Sequence, residues 1–403
     1  MVSNEPYWGD SLKDVISKLK IKGTYGLVGN DAIGSSRFLY LSEVNMNNSS
    51  YKYVFGPASN RYTINGISLS RYANNQITWE VSKKSNIGFE LELFNAIELQ
   101  MEYYHEKREN ILMDRQDVPA GMGLMAATSA NIGQAKGQGV DMSLDVNKAF
   151  PSGWWIQARG NFTYSTSEYL VYEEPRYDDA PWLSRVGYPL SQRWGYLAEN
   201  LFVDDIEVAN SPYQNFGDYI AGDIKYYDVN GDGQISSLDK VPIGYPQTPE
   251  IVYGFGVSFG KKNFDFSCFF QGLARESFWI DYNATTPFVN EHQLLKVYAD
   301  SHWSEDNRDI YALHPRFSTT TLENNAQSST WWMRDGSFLR LKSVEVGYTI
   351  RVPKWRDARF RIYVSGTNLL TFSKFKLWDP EMAGNGLGYP IQRVFNVGVN
   401  INL

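Results

Sequence analysis

The sequence predicts an all-β protein, an antiparallel up-and-down transmembrane β-barrel with long external loops. Three observations carry this reading. Runs of residues alternate strictly between a wholly apolar face and a small or polar one. The runs come in pairs whose connections are by turns very short and very long. Charged residues in the runs, among them Glu90, Glu92, Glu98, Glu102, Asp145, Arg159, Glu345 and Arg361, fall on the non-apolar face. A strand of this kind sits between a greasy phase and a wet one, and membrane barrels join such strands by short periplasmic turns and long external loops. A charge on the lipid side near the midplane costs roughly 2–4 kcal/mol, so its confinement to the other face is informative.

Composition agrees. Aromatic residues reach 15% of the 403, with 27 Tyr, 22 Phe and 12 Trp, an excess that suits β structure and interfacial girdles. A net charge of −7 argues against a nucleic-acid surface, which needs a basic face. One cysteine, Cys268, excludes an internal disulfide framework and reads as a small hydrophobe on the apolar face. The four histidines are too scattered for a zinc site. No apolar run reaches the roughly 18 residues of a transmembrane helix, a test that strands escape because half their residues are polar. The opening Met1-Val-Ser-Asn-Glu-Pro6 lacks the basic and apolar stretches of a signal peptide, so the chain reads either as soluble or as the tail of something longer.

Taken in order, Ser11-Leu-Lys-Asp14 reads as a capping box. Leu12, Val15, Ile16 and Leu19 follow at helical spacing, predicting a short helix that hands over to a strand near 21–28. Residues 30–75, rich in Asn, Ser and Tyr, predict a long loop with a minor hairpin. Ile87, Phe89, Leu91 and Leu93 then oppose Gly88, Glu90 and Glu92. After Phe94-Asn-Ala96, Ile97, Leu99, Met101 and Tyr103 oppose Glu98, Gln100 and Glu102. Residues 107–130 read as a polar loop. The next pair sets Val140, Met142, Leu144 and Val146 before a turn at 148–153, and Trp154, Ile156, Ala158 and Phe162 after it. Tyr253, Phe255, Val257 and Phe259 turn through Lys261-Lys-Asn263 into Phe264, Phe266, Cys268 and Phe270. Val344, Val346, Tyr348 and Ile350 turn near Pro353 into Phe360, Ile362 and Val364. The chain closes on Phe395, Val397, Val399, Ile401 and Leu403. The excursions 171–250 and 272–335 lie between pairs, the second with a helix around 291–301.

The sharpest motif is Asp228-Val-Asn-Gly-Asp-Gly-Gln-Ile-Ser-Ser-Leu-Asp239. Asp228, Asn230, Asp232 and Asp239 offer side-chain oxygens, Gln234 its carbonyl and Ser236 a water-mediated contact, the spacing of a loop that wraps a hard cation. The expected ion is Ca²⁺ in a structural role, pinning an external loop. The twelfth position is Asp, with a shorter arm than Glu, and the flanks are not paired helices; a self-stabilised Asp/Asn/Gly turn is the competing reading. Gly256-Val-Ser258-Phe-Gly260 matches a nucleophile elbow as a string, but Ser258 falls mid-strand where that motif needs a strand-to-helix turn. Gly384-Asn-Gly-Leu-Gly388 precedes no helix and reads as a loop. His302-Trp-Ser-Glu305 reads as a ligand-contacting loop or as surface decoration. No catalytic constellation stands out, and the chain reads as no enzyme.

Several further stretches stand out: Tyr25-Gly-Leu-Val-Gly-Asn-Asp31, Tyr103-Tyr-His-Glu-Lys-Arg-Glu-Asn-Ile-Leu112, Gly137-Gln-Gly-Val140, Asp223-Ile-Lys-Tyr-Tyr-Asp-Val-Asn-Gly-Asp-Gly233, Arg334-Asp-Gly-Ser-Phe-Leu-Arg-Leu-Lys342 and Gly366-Thr-Asn-Leu-Leu370, with the closing strand. Together they resemble one family, the SusC/RagA-type TonB-linked outer-membrane transporters. They keep order and spacing over essentially the whole chain, residues 1–403. The resemblance implies the C-terminal part of a plugged nutrient importer of glycan or peptide fragments in the outer membrane. It implies lipid around the barrel, a SusD-like surface lipoprotein as lid, and a TonB-type energy-coupling protein in the periplasm. Plug, coupling box and early strands have no counterpart in these residues. With roughly ten to twelve strands, about half of a 22-stranded barrel, the resemblance implies a partial barrel, inactive alone. The rival readings are an autonomous small barrel acting as pore or adhesin, and a soluble calcium-stabilised binding module.

Overall fold

The computed structural model describes residues 1–5, 8–31, 37–353 and 358–402. Ten strands make one antiparallel sheet, each pairing with its neighbours in sequence: β1 (Ile16–Asn30), β2 (Glu80–Leu93), β3 (Ile97–Asp114), β4 (Ser129–Ala149), β5 (Trp154–Val171), β6 (Ile251–Lys261), β7 (Phe264–Ala274), β8 (Phe338–Val352), β9 (Ala358–Ser373) and β10 (Val394–Asn402). The all-β, up-and-down expectation is what forms, and ten strands fall in the expected range.

Register shows why alternation decided the architecture. One row across the sheet reads Leu19, Leu91, Leu99, Leu144, Gly160, Phe255, Phe270, Leu341 and Leu370, directly opposite one another on nine successive strands. The row beside it, on the other face, reads Lys20, Glu90, Gln100, Ser143, Asn161, Gly254, Gln271, Arg340 and Thr371. A one-residue slip on any strand would exchange the two faces, so the pattern sets the register. The apolar face is the exposed one: Ile87, Phe395 and Val397 keep 61%, 72% and 77% of their surface.

That face is bounded by aromatic lines. At the short-turn end Trp154, Lys261, Phe264 and Tyr348 lie opposite one another, with the Lys261 ammonium 4.9 Å from the Trp154 ring centre. At the long-loop end Tyr103, Val140, Tyr164 and Ile251 form the corresponding row. From Trp154 to Tyr164 the strand rises roughly 33 Å at about 3.3 Å per residue, or about 23 Å along the membrane normal at a tilt near 45°. The apolar band of an outer-membrane barrel is about 25 Å tall.

Four expectations need correction. Ile16 and Leu19 belong to β1, and only Asp10–Lys13 is helical; pairing of Ile16 with Leu93 and Leu19 with Leu91 overrides the helical spacing. The Ser11 side chain, on which the capping reading rests, lies outside the described residues, as do Leu403 and residues 354–357 of the last turn. Within 107–130 only the middle is loop and the ends are strand, because β3 runs to Asp114 and β4 begins at Ser129. There the wall rises above the lipid band, both faces are wet, and the alternation that signals a strand disappears. The hairpin within 30–75 is substantial, Glu43–Phe55 against Tyr62–Arg71, and stands off the main sheet. The helix expected around 291–301 is a 3₁₀ turn, Val289–Glu291, followed by Lys296–Asp300.

Candidate functional site: the inner wall and its cap

The inner face is a lattice of paired charges. The Lys18 ammonium lies 3.0 Å from Glu90 and 3.6 Å from Glu98, and Lys20 lies 2.9 Å from Glu90. Lys22 pairs with Glu102. Further round, Arg159 donates to Asp145 at 2.6 Å, and Arg361 bridges Asp265 and Glu345, the latter at 2.5 Å. Arg340, 1% exposed on β8, reaches up to Asp379 at 2.5 Å and Glu381 at 3.1 Å and so ties an external loop to the wall. Alternation puts these groups on the wet face, and cross-strand pairing holds them in place.

The buried core lies beyond the sheet. The excursions 172–250, 275–337 and 374–393 fold together over Tyr196, Leu201, Ile224, Tyr226 and Ile235 from the first, Phe278, Ile280, Trp303 and Trp332 from the second, and Phe375 from the third. Trp303 packs against Gly222, whose φ of +83° and close approach both call for glycine. The segment His302–Glu305 is therefore neither a ligand loop nor surface decoration at its Trp, which is a core residue. The Gly384–Gly388 stretch is a loop as expected, and the Gly384 carbonyl accepts the Asp281 N–H at 2.9 Å. Ser258 is mid-strand in β6.

Polar groups inside this cap are stitched into a network. Gln214 donates to the Ile224 carbonyl at 2.9 Å and to Asn324 at 2.7 Å, and accepts the Tyr226 N–H at 2.7 Å. Asn325 accepts the Ile224 N–H at 2.9 Å, donates to Asp223 at 2.8 Å, and takes the Trp332 indole N–H on its carbonyl at 2.8 Å. Asp223 is fully buried; desolvation raises its carboxyl above the usual value although Arg316 donates to it at 3.0 Å. Such satisfied networks hold segments about a hundred residues apart in one arrangement.

The Asp228–Asp239 loop is bolted to this cap, Gln214 and Tyr213 pairing in parallel with Ile235 and Gln234. Asp228 accepts the N–H groups of Gly231 at 2.7 Å and Gly233 at 2.8 Å; Asn230 accepts from Asp232 at 3.0 Å, and Asp232 from Gln234 at 2.8 Å. Gly231 and Gly233, at φ +73° and +82°, make the turns that gather these oxygens. Ser236 caps a short 3₁₀ turn and accepts the Leu238 N–H at 3.2 Å. Asp239 is fully buried and works as a clasp, its two oxygens accepting the N–H groups of Val229 and Ser236 at 2.9 and 2.8 Å. The donor set is all oxygen, as a hard cation needs, and a carboxylate oxygen bound to one N–H keeps a second lone pair. Among the described residues no three His, Cys, Asp or Glu side chains gather as a metal cluster.

A cleft of about 560 Å³ opens where β2, β3 and β5 reach the cap, lined by Glu80, Arg108, Tyr169, Tyr172, Glu173 and Arg185 among others. The rings of Tyr169 and Tyr172 meet edge to face at 4.8 Å, and the Arg185 guanidinium lies 5.3 Å from the Tyr172 ring centre and 5.9 Å from that of Trp194. Arg115, 2.6 Å away, holds the Glu173 carboxyl below its usual value. Sequence reasoning did not single this cleft out. The available signal was the cluster Tyr169-Leu-Val-Tyr-Glu-Glu-Pro-Arg-Tyr177, where alternation ends on aromatic and charged residues.

No family model matches the chain. Among curated proteins it is similar to TonB-dependent receptors of Formosa agariphila. It is 25% identical to TonB-dependent receptor P26 over 425 residues, covering 96% of this chain, and 27% identical to TonB-dependent receptor P3 over 436 residues, covering 97%. In both cases it spans 40% of the relative's length. Among solved structures the RagAB peptide importer in its open-open state superposes with a TM-score of 0.71 at 21% identity, over 100% of this chain and 42% of that one. A second structure, of the RagAB peptide transporter, gives 0.69 at 22% identity, over 99% and 42%. At these identities the structures speak for the fold. The chain is thus similar in sequence to part of the TonB-dependent receptors, and it shares its fold with part of the RagAB importer's barrel.

Proposed function

We propose that residues 1–403 serve as barrel wall and external cap of an outer-membrane importer for glycan or peptide fragments, with a transport role and no catalytic one. The observation that carries this is the two-faced sheet: an apolar band about 23 Å tall between aromatic rows, a charge-paired inner wall, and every described long connection at one end. The edges of β1 and β10 pair with nothing further among the described residues. In hydrocarbon an open edge leaves backbone N–H and C=O groups unsatisfied, so other strands of the same barrel complete it. The cleft at the lumen mouth, with tyrosine faces and both signs of charge, would meet the solute first. A SusD-like lipoprotein over the cap and a TonB-type coupling protein in the periplasm are the partners this reading requires. Fractionating native cells with an antibody against residues 250–403 tests it. The protein should appear in the outer membrane in a band well above 46.1 kDa, and recovery in the soluble fraction would overturn the proposal.

The Asp228–Asp239 loop fits a structural calcium ion held by Asp228, Asn230, Asp232 and the Gln234 carbonyl, with Ser236 contributing through water and Asp239 clasping the ends. Adding millimolar Ca²⁺ after chelation should raise the melting temperature of the cap, and Asp228→Asn should abolish that rise. A melt indifferent to Ca²⁺ would leave a turn sufficient in itself.

A further inference from the structure

On the outward face of β2–β5, the residues above the Tyr103–Tyr164 line change character in two steps. The first row is polar and holds no Lys, Arg, Asp or Glu: Ser85, His105, Gln138 and Thr166. The next is Lys83, Lys107, Lys136 and Glu168, again directly opposite one another. Tyr103 and Lys107 are separated by roughly 13 Å along the strand, about 9 Å along the normal at a 45° tilt, and a lysine stem can lean back toward the interface over part of that.

Three lysines opposite one another on neighbouring strands repel, and a sheet tolerates this only with counter-charge. Glu109 supplies some of it, lying 2.6 Å from the Lys83 ammonium and 3.0 Å from that of Lys107, while Glu168 lies 2.8 Å from Lys136. Two carboxylates leave the row with one positive charge to spare. The lysine side chains keep 42%, 38% and 31% of their surface open. Exposed pairs of this kind are worth about 0–1 kcal/mol, so an incoming anion can share or replace them.

We propose that Lys83, Lys107 and Lys136 form a seat for the phosphate groups of an anionic lipid headgroup in the outer leaflet. The reasons are continuity with the lipid-facing band directly below, the graded sequence apolar, aromatic, polar, cationic, and the excess of cations within the row. The inference rests on the membrane placement proposed above. It adds a lipid contact that orients the wall and is independent of any transported solute.

The test uses the outer-membrane protein carrying this chain, purified in detergent, with thermal unfolding followed as lipid is added. Bisphosphorylated lipid A should raise the melting temperature, whereas dephosphorylated lipid A and inorganic phosphate at matched concentration should not. The triple variant Lys83→Gln/Lys107→Gln/Lys136→Gln should bind bisphosphorylated lipid A about a hundredfold more weakly, near fivefold per lysine. Should that variant not fold, Lys107→Gln alone and the two lipid forms on the unmodified protein decide the matter. Equal stabilisation by dephosphorylated lipid A, or full binding by the variant, would overturn the seat. An equal response to inorganic phosphate would make it a site for free anions instead. A protein that remains monodisperse without detergent would overturn the membrane placement itself, separately from the lipid arms.

Discussion

The sheet and the cap follow opposite burial rules within one chain. In the sheet the large apolar residues are the exposed ones, as at Phe395 and Val397, and the buried positions on the inner face are polar, such as Glu90 and Arg340. In the cap Trp332, Tyr226 and Ile224 are fully enclosed, and each donates a hydrogen bond to Asn324 or Asn325. The sheet is built to be solvated by lipid on one side and water on the other; the cap is built as a water-soluble domain is. The same residue types therefore carry opposite meanings. An exposed Val on β10 is a membrane contact, whereas an exposed Val in the cap is incidental.

The largest effect that would sharpen this contrast is a cavity in the cap. Trp332→Ala removes a fully buried indole and its bond to the Asn325 carbonyl. It should cost about 3–5 kcal/mol of cap stability. Limited proteolysis should then cut the external excursions, while the heat-modifiable barrel signal persists. Joint loss of both would show that cap and wall fold as one unit and that the contrast is only descriptive.

A charge on the outer face comes next. Leu144→Arg sits in the apolar row near mid-band and should cost roughly 2–4 kcal/mol, lowering the fraction assembled into membranes. Ser143→Arg, one residue away on the inner face, should assemble nearly as well as the unmodified protein. Equal tolerance of both would break the assignment of faces.

The third effect is acidity acting on the cap alone. His314 is enclosed by Tyr282, Tyr298, Phe317 and Trp332. Burial pushes its imidazolium down to about 4 from an ordinary 6.5. Between those values the unfolded chain binds a proton that the folded one refuses. The contribution is complete above pH 6.5 and is lost as pH falls toward 4, by about 2 kcal/mol at pH 5. Cap melting compared at pH 7.5 and 5.0 should show this drop, and His314→Phe should flatten it. A slope unchanged by the substitution would place the sensitivity elsewhere.

Strand positions, hairpin turns and the lipid-facing side were readable because they are local. Alternation is encoded within two residues, and a turn such as Phe94–Ala96 within three, with Phe94 and Asn95 at positive φ as a tight reversal requires. The reading failed where a local signal stopped. Above the lipid band both faces of β3 and β4 are wet, so residues 107–114 and 129–130 looked like loop. At Ile16 and Leu19 a helical spacing occurred by chance in a strand, and only pairing with β2 reveals it.

By itself, then, the sequence determined an antiparallel meander with one apolar face, its approximate strand count, its long-loop end and the oxygen-rich spacing of Asp228–Asp239. Tertiary structure alone decided that the excursions share one core, that Asp239 clasps the loop from a buried position, that Trp303 is core and that a tyrosine-lined cleft forms at the mouth of the wall. The physical reason is separation along the chain. Asp223 meets Arg316 and Gln214 meets Asn324 across about a hundred residues, and no short-range periodicity records which distant polar group will complete a buried hydrogen bond.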